Sequence, residues 1–207
     1  MTDWLITRHQ VAIAGRITNA ETGKPIAGVP VSIVGPPVFG RKLQLLGQAQ
    51  GAPSGIFVAK PDQTESRNDG LFYFLDLPDG KYTVKASVPN QGTRFAGAQQ
   101  SVTVSRDAKG NMKLASANLA MQPTTVRGKV TGPAHKTGVP MARVYVKGSG
   151  ESAFTDAQGQ YLLTGIESGK RTVVVAAQGY KTKLQQVTLA KPGIAQTEDI
   201  PLMRETG

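Results

Sequence analysis

The side chains that could do acid–base chemistry in this sequence are a few carboxylates and two histidines. Asp62, Glu65 and Asp69 are close in sequence, but they lie among turn-forming residues, where solvated carboxylates are expected. His9 precedes the first strand pattern, and His135 lies in a turn. No glycine-rich loop leads into a helix pattern, so phosphate binding is not indicated. We therefore expect no catalytic residues, no metal site and no cofactor.

Composition excludes further classes of protein. The 207 residues include no Cys, which excludes thiol catalysis, a disulfide framework and cysteine-ligated zinc. The length suffices for two domains of about 100 residues, each able to bury its own core. The N-terminus lacks the apolar segment of a signal peptide, and no run approaches the roughly 18 apolar residues of a membrane helix. We expect a protein without a membrane span, located in the cytoplasm or in a particle.

The net charge of +10 would favour an acidic partner, either a nucleic acid or an anionic glycan. The basic residues are, however, spread singly along the chain, and aromatic residues for base stacking amount to 6%. This distribution is typical of a solvated surface. We do not expect nucleic acid as a partner, whereas an anionic glycan remains an alternative.

An apolar segment at about residues 35–60 contains most of the residues that we expect to bind a partner. Burying a Phe or Leu side chain is worth about 1.5–3 kcal/mol, so such a loop packs on its own domain, on the other domain or on another chain. The single Trp, in an arm formed by residues 1–8, can pack in the same three ways. The predicted partner-binding residues are Trp4, Phe39, Arg41, Lys42, Leu45, Leu46 and Phe57, with the two cations at a polar rim.

The elements that position this segment form an internal repeat. Residues 66–84 align without a gap on residues 155–173. Three more blocks match in the same order: 11–18 with 124–131, 24–31 with 139–146, and 101–104 with 186–189. The copies are offset by 115 residues at 24–31 and by 89 after Gly70, so the first copy is predicted to carry 26 additional residues between Val31 and Gly70.

Hydrophobic alternation with a period of two predicts strands almost throughout, and turn signals every 8–12 residues are typical of a sandwich or barrel. No stretch of twelve or more residues has a convincing helical period, although a short helix around residues 41–46 is considered. Four glycines are predicted in turns with positive φ. The alternating residues include Val11, Ile13, Ile17, Phe72, Phe74, Tyr82, Val84, Leu162 and Thr164, and the turn glycines are Gly70, Gly80, Gly159 and Gly169.

Both copies contain motifs of a known family. The first copy has Gly15 central in its first strand and Leu-Pro-Asp-Gly-Lys-Tyr at 77–82; the second has Gly128 and Thr-Asp-Ala-Gln-Gly at 155–159. Each copy resembles a carboxypeptidase regulatory-like domain, a transthyretin-like β-sandwich, and the second is more diverged. The resemblance implies an all-β fold of two tandem transthyretin-like or immunoglobulin-like Greek-key β-sandwiches. The expected boundaries are an arm at 1–8, a first sandwich at 9–122 with the insert at about 35–60, and a second sandwich at 123–207.

Related collagen-adhesin B-type domains often carry a Lys–Asn isopeptide crosslink between their first and last strands. In the first copy Arg16 lies on the first strand, although Asn118 is near the last. In the second copy Lys129 lies on the first strand, but Glu198 and Asp199 stand near the last strand, without an Asn. Neither copy holds the complete set, so we predict no crosslink.

The resemblance implies an accessory module, because the catalytic domain of the metallocarboxypeptidases is missing from this sequence. We expect a non-enzymatic structural or adaptor protein that assembles with protein partners or with copies of itself. Tandem sandwiches without a catalytic set also resemble accessory components of phage tails and phage-like contractile injection particles. A carbohydrate- or cell-surface-binding module of a secreted system is the alternative.

Overall fold

The computed structural model describes residues 9–50, 60–87, 93–133 and 137–205, with the side chains of 47–50 left out. The chain divides into two compact units. The first unit ends at Met121 and lacks residues 88–96, whereas the second includes residues 93–96 and continues from Gln122. No helix among the described residues is long and apolar enough to cross a membrane.

The first unit is a sandwich of two sheets. In one sheet β4 pairs with β1, and β1 pairs in parallel with the short strands β8 and β9. The other sheet has the order β3-β2-β5-β6-β7. A helix, α1 (Pro37–Gln50), follows β2. The strands are β1 (Val11–Asn19), β2 (Pro30–Val34), β3 (Gln63–Glu65), β4 (Leu71–Leu75), β5 (Gly80–Ala86), β6 (Ala98–Arg106), β7 (Met112–Lys113), β8 (Ala115–Ser116) and β9 (Leu119–Met121).

The second unit repeats this arrangement. One sheet has the order β13-β10-β16, with β17 also pairing with β10, and the other has the order β12-β11-β14-β15. Its strands β10, β13, β16 and β17 correspond to β1, β4, β8 and β9, and the parallel pairing is kept. The strands are β10 (Thr125–Thr131), β11 (Arg143–Val146), β12 (Ser152–Phe154), β13 (Gln160–Thr164), β14 (Gly169–Ala176), β15 (Lys183–Leu189), β16 (Ala195–Thr197) and β17 (Ile200–Pro201). The predicted all-β fold of two sandwiches and the shared strand order are confirmed.

Hydrogen bonds correct the alignment of residues 24–31 on residues 139–146. Ser66 Oγ accepts from Val29 N, and Thr155 Oγ1 accepts in the same way from Ala142 N. These equivalent bonds set the offset at 113 residues rather than 115, so the first copy carries 24 additional residues rather than 26. The prediction was wrong because a shift of two residues returns every side chain to the same face of a strand. Hydrophobic alternation therefore cannot distinguish the two registers.

Alternation correctly identified most core positions, including Ile13, Phe72 and Tyr82, which are buried. Two assignments were wrong. In β13 the buried residues are Tyr161 and Leu163, whereas Leu162 faces outward. Three consecutive apolar residues do not show which of them face the core. Val11 is exposed because the register of β1 against β4 shifts between residues 11 and 13. The four turn glycines all have positive φ, as predicted: 78° at Gly70, 146° at Gly80, 80° at Gly159 and 98° at Gly169.

Residues 93–96 belong to the second unit although they lie between β5 and β6 in the chain. Arg94 pairs with Glu151, donates from Nε to Glu167 Oε1 at 2.8 Å, and donates from Nη1 to Gly165 O at 3.0 Å. The main chain is also fixed, since Thr124 N donates to Arg94 O at 2.8 Å. One guanidinium thus joins several loops of this unit.

The two carboxylates that bind Arg94 titrate below their ordinary range. The hydrogen bond from Thr93, opposed by partial burial and reinforced by Arg94, lowers the pKa of Glu167. At Glu151 burial opposes the shift, but hydrogen bonds from Ser149 and Arg94 outweigh it and lower the pKa. The stabilisation by these carboxylates is therefore present above their unfolded value of 4.5, and it is lost as pH falls through their folded-state pKa values.

We expect Arg94→Ala to lower the free energy of unfolding by about 1–2 kcal/mol at neutral pH, because it removes charge-assisted bonds at a partly exposed site. The difference from the unsubstituted protein should shrink below pH 4.5, as the two carboxylates become protonated. Urea unfolding at several pH values measures this difference in unfolding free energy, and the exposed Lys147→Ala is the charge-matched control. A difference that does not change with pH would show that the charges contribute little.

Candidate functional site

The predicted partner-binding segment forms a helix, α1, that is longer than the sequence indicates. Phe39 N and Gly40 N donate to Pro36 O at 2.9 and 3.2 Å, and Pro37 occupies the first helical position, where its missing N–H costs nothing. The helix has 14 residues, so the expectation of no helix of twelve or more residues was wrong. Its side chains divide between a buried and an exposed face, and tertiary packing stabilises it more than its weak intrinsic periodicity does.

Phe39 anchors α1 to the sandwich. Its side chain is buried and lies edge-on against Tyr82, with ring centroids 5.4 Å apart. Gly35 leaves room for the pair, because a Cβ there would lie 2.3 Å from Tyr82 Cε1. Burial raises the pKa of Tyr82 to about 12, and its hydroxyl donates to Pro78 O at 2.9 Å. Phe39 was predicted to bind a partner; its burial makes it part of the core instead.

The opposite face of α1 is open to solvent. Val38 is 49% exposed and Leu45 68% exposed, and one helical period places the exposed Arg41 between them. The first turn contains no acidic residue, so the two cations Arg41 and Lys42 leave this part of the helix positively charged. We call Val38, Arg41 and Leu45 the outer face of α1. It presents two apolar side chains beside a cation.

A groove of about 400 Å³ borders α1. Leu46, which is half-buried, and Lys42 line one side, and Lys60 and Tyr73 are also part of the lining. Lys42 Nζ donates to Asp76 O at 3.3 Å. Of the predicted partner-binding residues, the structure thus places Arg41 and Leu45 on the outer face of α1, and Lys42 and Leu46 in the groove. Trp4 and Phe57 lie outside the described residues, and their predicted role stays a prediction.

Asp76, at the end of this groove, has a strained backbone that sequence analysis did not detect. Its φ is +51°, and the equivalent residue of the second unit is Gly165, with a φ of +71°. The carboxylate accepts from Gln10 N at 2.8 Å and pairs with His9. The backbone hydrogen bond from Gln10, then that from His9, lowers the pKa of Asp76. Comparing the two copies position by position, an aspartate against a glycine, would have revealed it.

The other acid–base candidates do not converge. Asp69 Oδ1 accepts from Leu71 N at 3.0 Å, which closes a turn, and Glu65 is exposed on β3. His9 pairs with Asp76, and His135 lies outside the described residues. Within the described ranges, no group of three or more His, Asp or Glu side chains could hold a metal ion.

The second unit has a recognisable domain type. Residues 126–205 match the family model of the CarboxypepD_reg-like domain. This segment is of the carboxypeptidase regulatory-like type. That domain type is non-catalytic. No curated protein matches the sequence.

Solved structures of similar fold include bacterial pilins. The Bacillus anthracis TIE protein is 16% identical with a TM-score of 0.42, over 93% of this chain and 34% of that one. The shaft pilin SpaA from Lactobacillus rhamnosus GG is 12% identical with a TM-score of 0.45, over 97% and 99%. A streptococcal ancillary pilin is 12% identical with a TM-score of 0.38, over 95% and 62%. The chain thus spans about a third of the TIE protein, and likeness at this level carries no information about function.

Proposed function

We propose that this protein is a non-enzymatic structural adaptor that joins a protein partner in a larger assembly, and that the partner contacts the outer face of α1. The observation that carries the proposal is the division of α1 into two faces. Phe39 attaches the helix to the sandwich, and Val38 and Leu45 remain exposed beside Arg41. An apolar side chain that the fold does not bury is available to a partner.

The second unit supports this proposal as an internal comparison. Its sandwich has the same strand order without a counterpart of α1, since β11 and β12 are joined by a short turn. The fold therefore does not require the additional residues. A segment that the fold does not need, and that exposes apolar side chains, is a natural place for a specific contact.

We further propose that both units are carboxypeptidase regulatory-like domains in tandem. Two local features support it. In each unit the central glycine of the first strand packs on a main-chain carbonyl, and the amide of the residue after that glycine donates to an Asn or Asp side chain. The finer placement, an accessory part of a phage-tail-like contractile injection particle in the cytoplasm, rests on resemblance alone. Neighbouring genes for a tail tube and sheath would support it, and a hydrolase or secretion locus would contradict it.

The alternative function is binding of an anionic carbohydrate or cell surface. The groove beside α1 supports it, because Lys42, Lys60 and the aromatic Tyr73 line the same space. A glycan array separates the two proposals. Binding of acidic glycans that is lost in Lys60→Ala but kept in Leu45→Gln would favour the carbohydrate function.

We expect Leu45→Gln to prevent incorporation into the assembly without changing stability. Leu45 is 68% exposed, so its replacement removes contact area for a partner and leaves the core unchanged. The measurement is sedimentation of the tagged protein from the cells that produce it, with Leu114→Gln, 63% exposed, as the matched control. Equal sedimentation of both variants in the heavy fraction would place the contact elsewhere.

A further inference from the structure

The outer face of the sheet β12-β11-β14-β15 in the second unit is apolar. Tyr145, Val174 and Leu184 form a row across three strands, because Tyr145 pairs with Val174 and Val174 pairs with Leu184. Their neighbours along the strands, such as Val144 and Val173, face the core. Leu184 is 54% exposed, and the next row ends in Phe154, 61% exposed. Val174, which lies between Tyr145 and Leu184, is itself buried at 4% exposure. We call Phe154, Tyr145 and Leu184 the Phe154 patch.

The first unit provides an internal control for this patch. The same row of its equivalent sheet consists of Ser32, Lys85 and Gln99, which pair in the same register. Glu65 stands at the position of Phe154. Because the same fold is built with a polar outer face in one unit, the apolar face of the other unit is not a requirement of the sandwich. It needs another explanation, and a contact with another molecule supplies one.

Cations surround the patch. The Arg143 guanidinium lies 5.1 Å from the centre of the Tyr145 ring. Phe154 also borders a groove of about 650 Å³ that Arg127 and Lys129 line. Within the part of the chain that the structure describes, none of these three cations takes part in an ion pair.

The carboxylates of this groove are already engaged with the main chain. Asp156 Oδ1 accepts from Gln158 N and Gln160 N at 2.9 and 2.8 Å, and Asp199 Oδ1 accepts from Lys129 N at 2.8 Å. They hold turns and strands together, and their orientation is fixed by those bonds. Three cations therefore remain available to an incoming carboxylate.

We propose that the Phe154 patch is a second interaction surface, and that it binds a protein segment in which apolar residues are flanked by Asp or Glu. Phe154, the most exposed of these side chains, is the main anchor, and Arg127, Lys129 and Arg143 pair with the acidic side chains. A second copy of this chain is disfavoured as the occupant. The net charge is +10, so two copies that met face to face would repel each other. This surface is independent of α1, so the chain would be bivalent.

Selection from a random twelve-residue peptide library on the immobilised full chain tests the proposal. We expect enriched peptides to combine aromatic or aliphatic residues with Asp and Glu. The affinity of a synthesised enriched peptide, measured by fluorescence anisotropy, should fall at least tenfold in Phe154→Ala and in Leu184→Gln and weaken as salt rises. Gln is the residue of the first unit at the position of Leu184, so this substitution suits the strand. Leu114→Gln is the control and should bind normally.

Several results would overturn the proposal. They are the absence of enrichment, enrichment of peptides without acidic residues, and equal binding by the Leu184→Gln and Leu114→Gln variants. Sedimentation velocity over a range of protein concentrations adds a further one: a dimer that Phe154→Ala dissociates would mean that a second copy covers the patch. Thermal melts establish that each variant is folded, and if one variant unfolds, the other carries the test. Loss of the α1 contact in Leu45→Gln leaves this result unaffected.

Discussion

Replacing Gly15 or Gly128 with alanine is expected to cost at least about 3 kcal/mol of the unfolding free energy of the unit that contains it. A Cβ at Gly15 would lie 1.9 Å from Ala117 O, and one at Gly128 would lie 2.0 Å from Glu198 O. Such contacts require the main chain to move, because a carbonyl oxygen cannot rotate away as a flexible side chain can.

The surrounding hydrogen bonds prevent that movement. Ala117 N donates to Ala14 O at 2.9 Å and Glu198 N donates to Arg127 O at 2.8 Å, so each close segment is fixed to the first strand of its unit. In the first unit the residue after Ala117 adds a side-chain bond, since Asn118 Oδ1 accepts from Arg16 N at 3.0 Å.

Calorimetry of the two variants measures the loss, and Gly40→Ala is the control. No atom lies within 4 Å of a Cβ at Gly40, which is inside α1, so alanine there should stabilise the helix by about 0.5–1 kcal/mol. Unchanged melting of both the Gly15→Ala and Gly128→Ala variants would contradict the close packing of the first strands.

Truncating Phe39 to alanine is expected to cost about 3–5 kcal/mol, because the ring is buried against Tyr82 and a cavity would remain. Leu45→Ala, on the other face of the same helix, should change stability by less than about 0.5 kcal/mol. The contrast separates the attachment of α1 from its outer face.

Urea unfolding of the two variants provides the comparison. Equal, small effects would mean that α1 is not fixed to the sandwich through Phe39, and equal, large effects would mean that both faces are structural. Either result would remove the basis for treating Leu45 as a contact residue.

The strands of both units could be predicted from sequence because period-two alternation and turn glycines are local signals. Phe72 and Phe74 face the core where alternation places them, and Gly70 and Gly159 have the positive φ that their turns require. The alignment of residues 24–31 on the second copy could not be fixed to the residue, since strands shifted by two residues bury the same face. Only hydrogen bonds such as that of Ser66 with Val29 determine it.

The candidate surfaces were less predictable, because they depend on which side of an element packs. Phe39 and Leu45 are both apolar residues of the insert, and the sequence does not indicate which one Tyr82 covers. The position of Arg94 in the second unit is a tertiary feature without a local signal. Phe154 and Leu184 were not predicted, although a comparison with Glu65 and Gln99 of the first copy would have indicated them.

Site-specific photo-crosslinking tests the proposed adaptor function most directly. A benzophenone amino acid replaces Leu45 in one variant and Leu114 in the other, and both are irradiated in the cells that produce the protein; the two positions are 68% and 63% exposed. We predict one defined crosslinked protein from position 45 and none from position 114. Absence of a crosslink at position 45, or the same products from both positions, would contradict the claim that the outer face of α1 binds a protein partner.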